Sequence, residues 1–121
     1  MKRSMMQIYA KNSAEAWEFY KKAFPAAVET CCYKNENGSI AHAEMTLFGQ
    51  VIAMAQWDKA STGKAMQFCF EFDEDEKHVI DRAYDILKEG GQVLDPLGPC
   101  GYSPYMTALT DKYGVNWCMF L

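Results

Sequence analysis

Short apolar runs of strand length are interrupted twice by a longer stripe at helical spacing, and this order repeats along the chain. Met5 to Ala10 reads as a first strand. Asn12 then offers an N-cap with Glu15 at capping-box spacing, and a helix is predicted from about Ser13 to Phe24. Trp17, Tyr20 and Phe24 fall on one face of that helix, and Pro25 stops it. Strands follow at Ala27 to Tyr33, Ala41 to Phe48 and Val51 to Trp57. Lys34 to Gly38 makes a polar turn, and Gly49-Gln50, glycine first, predicts a type II′ hairpin. The first module therefore reads β-α-β-β-β.

Asp58 to Lys64, with Ser61-Thr62-Gly63 inside it, reads as a polar linker. Beyond it the order recurs. A strand is expected at Ala65 to Asp73, a helix at Asp75 to Glu89, and strands at Gln92 to Leu97, Tyr105 to Thr110 and Asn116 to Leu121. Val79, Ile80, Ala83, Ile86 and Leu87 form the second helical stripe, which Gly90-Gly91 closes as a C-cap. The helices also match residue by residue. Ala16-Trp17-Glu18-Phe19-Tyr20-Lys21-Lys22-Ala23 aligns with Ala83-Tyr84-Asp85-Ile86-Leu87-Lys88-Glu89-Gly90, aromatic to aromatic, acid to acid and lysine to lysine. Two similar modules, about 1–60 and 61–121, are expected to build a single domain over 1–121, with their seam as the natural place for a site.

Composition narrows the classes. A chain of 121 residues, 50% hydrophobic, suffices for one compact domain with a real core, whereas a module of ~60 residues alone would be marginal. Sixteen acids against twelve bases give a net charge of −4, and no basic cluster extends beyond Lys2-Arg3 and Lys21-Lys22. No nucleic-acid partner is expected. No apolar run approaches the ~18 residues of a membrane span, and Lys2-Arg3 leads into no signal-peptide core, so the expected location is cytoplasmic, away from membranes. Cys31, Cys32, Cys69, Cys100 and Cys118 make an odd count without a CxxC pair, which argues against a disulfide framework or a zinc knuckle. The acids of Asp73 to Glu76 read as charges opposing a helix dipole, and the Gly/Pro-rich loop from Gly98 to Pro104 as a lid or binding edge.

Three segments carry a resemblance: Asn12 to Phe24 (NSAEAWEFYKKAF), His42-Ala43-Glu44-Met45, and Leu109 to Trp117 (LTDKYGVNW). In this order, spanning nearly the whole chain, they resemble the PhnB-like branch of the glyoxalase/bleomycin resistance/dioxygenase, or vicinal oxygen chelate, superfamily. The resemblance implies an α+β fold in which two βαβββ modules form an open, curled mixed β-sheet around a cavity, commonly as a homodimer. A methyltransferase activity is often attached to this branch, but no Gly-rich strand-to-helix loop for a nucleotide-like cofactor supports it. Metal-dependent members hold one divalent ion with side chains from the first and last strand of each module. Carried over, those positions are about Ser4, Ala53, Gln67 and Cys118. A catalytic divalent ion normally needs at least three His, carboxylate or thiolate ligands, so no metal and no other cofactor are expected there.

Strand alternation supplies the lining of the implied cavity. Gln67, Cys69 and Glu71 share one face of the fifth strand, with Met66, Phe68, Phe70 and Phe72 packed under the helices. In the last strand Asn116, Cys118 and Phe120 share the cavity parity, and Trp117, Met119 and Leu121 face the helices. With Trp57 and Tyr102 as aromatic walls, the expected ligand-binding set is Gln67, Cys69, Glu71, Asn116, Cys118, Trp57 and Tyr102. His42 and Glu44, two apart on a strand, are candidates for acid-base chemistry, although a hydrogen-bonded pair holding neighbouring strands accounts for them too. Cys118 has no basic partner in sequence and is expected to be an inert thiol, and His78 a surface residue. The expected function is binding of a small organic ligand without a conventional catalytic metal. The alternatives are a metal-dependent lyase, isomerase or dioxygenase using a displaced set such as His42, Glu44 and Glu71, and a resistance protein that sequesters a drug or toxin.

Overall fold

The computed structural model describes residues 1–60, 63 and 66–121. The chain divides into two compact units, Met1–Ser61 and Thr62–Leu121, and each carries a four-stranded mixed sheet. Of the expected linker, Ser61, Thr62 and Lys64 lie outside the described residues, as does Ala65 at the start of the expected fifth strand.

The first unit runs β1 (Met6–Ala10), α1 (Ser13–Ala23), β2 (Val28–Lys34), β3 (Ile40–Leu47) and β4 (Gln50–Gln56). Its strand order is β1-β4-β3-β2, with β1 parallel to β4 and the other pairs antiparallel. The predicted stripe forms the core: Trp17, Tyr20 and Phe24 are buried with Ala43, Met45, Leu47, Ile52 and Met54. Glu15 in the first turn and Lys21 and Lys22 in the last oppose the helix dipole with the right signs.

Two local expectations are corrected. Asn12 makes no side-chain cap; the helix start is fixed instead by its neighbour. The Ser13 hydroxyl donates to Gln56 Oε1 at 2.6 Å and accepts the Ile40 N–H at 2.9 Å, tying the helix to β4 and β3. The hairpin between β3 and β4 turns one residue earlier than predicted. Leu47 pairs with Gln50, and the loop residues Phe48 and Gly49 have φ of 50° and 82°. Both central residues at positive φ make a type I′ turn, whose twist matches that of the flanking strands. Phe48 accepts this conformation while its ring packs edge-on against Phe24, with centroids 5.8 Å apart.

The second unit repeats the plan with β5 (Phe68–Glu71), α2 (Lys77–Leu87), β6 (Gln92–Gly98), β7 (Met106–Thr110) and β8 (Asn116–Phe120), in the order β5-β8-β7-β6. Again the first strand is parallel to the last. The matched helices bury matching positions: Ala16 with Ala83 and Tyr20 with Leu87, all 0% exposed. The backbone of α1 comes nearest β4 and β1, and that of α2 nearest β7. The acidic run forms a 3₁₀ turn over Glu74–Glu76 ahead of α2, where the Glu76 carboxylate accepts the Asp73 N–H at 2.9 Å. Gly90 has φ of 70°, and a Cβ on Gly91 would stand 2.3 Å from the Thr110 carbonyl oxygen, so the pair allows both the turn and a close backbone approach. No described helix is long and apolar enough to cross a membrane.

Asp111 organises the connection from β7 to β8. Its carboxylate, only 3% exposed, accepts the Tyr113 N–H (2.9 Å), the Val115 N–H (3.0 Å) and the Trp117 indole N–H (2.9 Å). This explains why Asp, Gly and Trp stand together in that segment: one closes the turn, one takes φ of 87° at Gly114, and one buries its ring beneath the sheet. Asp111→Ala is expected to cost about 3 kcal/mol, because it strands three donors, one of them the buried Trp117 indole. Urea unfolding measures this, and a loss under about 1 kcal/mol would contradict the assigned role.

Candidate functional site

The two faces of the first sheet have different jobs. The Trp17 indole on α1 donates to Glu29 Oε1 on β2 at 2.6 Å, which marks the Glu29–Met45 side as the helix side. Alternation along β3 then puts His42 and Glu44 on the opposite, helix-free face, and the register irregularity after Glu29 sets Cys31 opposite Glu44 there. The register aligns Cys31, Glu44, Ala53 and Gln7 in one row across β2, β3, β4 and β1.

Glu44 is the centre of that row. The Arg3 guanidinium grips its carboxylate bidentately, Nη1 to Oε2 at 2.7 Å and Nη2 to Oε1 at 2.9 Å. His42 Nε2 lies 2.9 Å from Oε1. The Glu44 side chain is 10% exposed, while those of His42 and Arg3 are 41% and 53% exposed. Hydrogen bonds from Arg3 and then His42 hold the Glu44 carboxyl well below its ordinary value, at about 2. Cys31 completes the group: a ligand atom from each of Cys31, His42 and Glu44 lies within 4.8 Å of the others. His42 and Glu44 were legible as a pair from their spacing. Cys31 was not, because a register irregularity between Glu29 and Cys31 sets which β2 residue meets Glu44. Glu71, the third member of the displaced set, is an exposed residue of β5 in the other unit.

The resemblance implies metal-ligand positions at about Ser4, Ala53, Gln67 and Cys118. Ser4 is exposed and lies ahead of β1, where the residue opposite Ala53 is Gln7, its amide donating to the Ile8 carbonyl at 3.1 Å. Ala53 is fully buried and has no donor atom; Gln67 is exposed ahead of β5; Cys118 is 3% exposed. A serine, an alanine, an amide and a thiol do not fit a catalytic divalent ion.

In the second unit the Tyr105 hydroxyl donates to Asp81 on α2, which marks the Thr107–Leu109 side as the helix side. Trp117 and Met119 are buried there at 0% exposure, and Phe68 stacks on Trp117 with centroids 4.9 Å apart. Met66 departs from the expected packing: it precedes β5 and is 69% exposed. Cys69 pairs with Cys118 on the helix-free face. Burial, then Cys69, pushes the Cys118 thiol up to about 11, so it stays protonated at neutral pH. Cys118 in turn raises the Tyr102 hydroxyl to about 12, and the Tyr102 ring sits edge-on to Phe120. Gln67, Cys69 and Glu71 are all exposed. Asn116 holds backbone: its amide donates to the carbonyls of Gly63 (2.5 Å) and Met66 (2.8 Å) while its oxygen accepts from Thr110 (2.7 Å). Trp57 belongs to the first unit, half-exposed and edge-on to Tyr9. His78 is an exposed residue of α2.

The depressed Glu44 carboxyl makes a signed prediction. Its folded value lies below the ordinary 4.5, so the stabilisation it contributes is fully present above about pH 4.5 and is lost as the pH falls towards about 2. Urea midpoints followed down this window should fall more steeply for the unmodified chain than for Glu44→Gln. Parallel curves would show that the Arg3 pairing does not operate in solution.

Comparison with known proteins now adds to this geometry. The family model of the Glyoxalase/Bleomycin resistance protein/Dioxygenase superfamily matches residues 3–119. No curated protein matches the chain in sequence. Among solved structures, a PhnB protein from Bacillus cereus is 25% identical, with TM-score 0.83 over 99% of both chains. Protein PA1353 from Pseudomonas aeruginosa is 20% identical with TM-score 0.77, covering 98% of this chain and 97% of that one. The fosfomycin resistance protein FosX from Listeria monocytogenes, in complex with Mn(II) and 1S,2S-dihydroxypropylphosphonic acid, shares 15% identity and the fold, with TM-score 0.72 over 98% of this chain and 90% of that one. Two β-α-β-β-β units of the same strand order, matched by the family model over nearly their whole length, place this chain in the glyoxalase/bleomycin resistance/dioxygenase superfamily.

Proposed function

We propose that the chain binds a small organic molecule on the helix-free faces of its sheets, without a metal at the positions that serve metal-dependent members of the superfamily. One observation carries this reading: Ala53, buried and without a donor atom, stands at one of those positions, and Ser4, Gln67 and Cys118 do not make good the loss. On the second unit, Gln67 and Glu71 offer exposed polar groups, Cys69 and Cys118 a soft apolar surface, and Tyr102 an exposed ring. An amide, a carboxylate and an aromatic edge suit a polar organic ligand of modest size. The Cys118 thiol, buried and protonated, lies beneath such a site and is not a nucleophile. FosX, on the same fold, holds Mn(II) and a phosphonic acid. Here the chemistry of the donor set favours binding alone, including sequestration of a toxic compound.

A small-molecule library screened by thermal shift tests the reading, since a ligand at a hundredfold excess over its Kd stabilises the native state by about 2.7 kcal/mol. For a compound found this way, Gln67→Ala is expected to abolish the shift while leaving the melting temperature of the free protein within about 2 °C. Hits that bind Gln67→Ala undiminished would remove this residue from the site.

We further propose a homodimer. Each sheet ends in open edge strands, and β2 and β6 carry exposed Val28, Tyr33 and Leu94. Such edges are ordinarily covered by a partner. Light scattering should give twice the 13.8 kDa chain mass at micromolar concentration, and a stable 13.8 kDa particle would refute it.

A further inference from the structure

The row across the first sheet joins three different metal-binding chemistries on one face: a thiol, an imidazole and a carboxylate. We propose that Cys31 Sγ, His42 Nε2 and Glu44 Oε1 form a binding site for a borderline divalent cation of the zinc type, with the Arg3 guanidinium as its built-in competitor. The proposal stands apart from the reading above, because none of these residues occupies a superfamily metal position.

Sheet geometry brings the donors together. Cys31 and Glu44 are directly opposite on antiparallel strands, which brings their Cβ atoms to roughly 5 Å, and His42 lies two residues from Glu44 on the same face. Nε2 and Oε1 are already 2.9 Å apart, and one ligand atom from each of the three residues falls within 4.8 Å of the others. A tetrahedral ion with bonds of about 2.0 Å to nitrogen and oxygen and about 2.3 Å to sulfur needs ligand separations of roughly 3.3–3.7 Å. Sulfur with nitrogen and oxygen suits zinc and cobalt and disfavours magnesium or calcium, which take oxygen alone. Three protein ligands leave a fourth position open for water or a ligand group.

Arg3 sets the terms of entry. It neutralises Glu44 through both oxygens, yet its side chain is 53% exposed and it precedes β1, so it can swing into solvent when a cation takes Oε1. Binding then releases one proton from the Cys31 thiol to solvent and frees one guanidinium, and no redox change is involved.

Cobalt(II) titration of the full chain is the test. A thiolate-to-cobalt absorption saturating at one equivalent is expected. Cys31→Ser should abolish it, and Glu44→Gln should weaken binding by about tenfold or more. Arg3→Ala should tighten binding by about fivefold, the effect of removing one half-exposed ion pair. The opposite sign of the Arg3 variant separates a site from general damage to the fold. Zinc should also slow alkylation of Cys31 in the unmodified chain while leaving Cys32 unprotected, a readout that needs no variant. Absence of the absorption, its survival in Cys31→Ser, unchanged or weaker binding in Arg3→Ala, or equal labelling of Cys31 with and without zinc would each overturn the proposal.

Discussion

A carboxylate removed from water must be paired, because an isolated buried charge is far more costly than any single contact is favourable. Glu44 meets this requirement on the first sheet with a bidentate guanidinium and an imidazole. The consequences spread outward from that pairing. The segment ahead of β1 is drawn across the helix-free face, His42 is oriented, and Cys31 is left beside a carboxylate held ionised down to about pH 2. The fully buried residue across the row is Ala53, which carries no donor atom.

The same division of labour holds in both units. One face of each sheet packs against a helix, anchored by Trp17 to Glu29 in the first unit and by Tyr105 to Asp81 in the second. The other face carries Cys31, His42 and Glu44 in the first unit and Cys69 and Cys118 in the second. This arrangement lets a scaffold persist while its reactive groups change, which is why a shared fold with FosX at 15% identity says nothing about shared substrates. Membership in the superfamily describes how the strands run, not which groups they carry.

Much of the architecture was legible in the sequence. The Trp17-Tyr20-Phe24 stripe, the recurrence of Ala16 and Tyr20 as Ala83 and Leu87, and the order of elements along the chain all follow from local periodicity, because a helix or strand must bury one face whatever its neighbours are. The spacing of His42 and Glu44 likewise guaranteed a common face. Turn and cap details were less secure: Ser13 displaced Asn12 because hydrogen bonds to Gln56 and Ile40, distant in sequence, outweighed a local cap, and the hairpin moved to Phe48-Gly49 to match strand twist.

The site itself was decided by tertiary structure. Arg3 and Glu44 are 41 residues apart, and no periodicity links them. Cys31 meets Glu44 only through the irregular register of β2 against β3, and Asn116, expected at a ligand, holds the carbonyls of Gly63 and Met66 instead. Alternation along a strand tells which residues share a face, but it is the pairing between strands that tells which of them touch. The sequence by itself therefore determined the elements and which of their residues share a face. The choice of partner for each polar group waited on the fold, since register and long-range pairing are set by the packing of the whole sheet and not by any local run of residues.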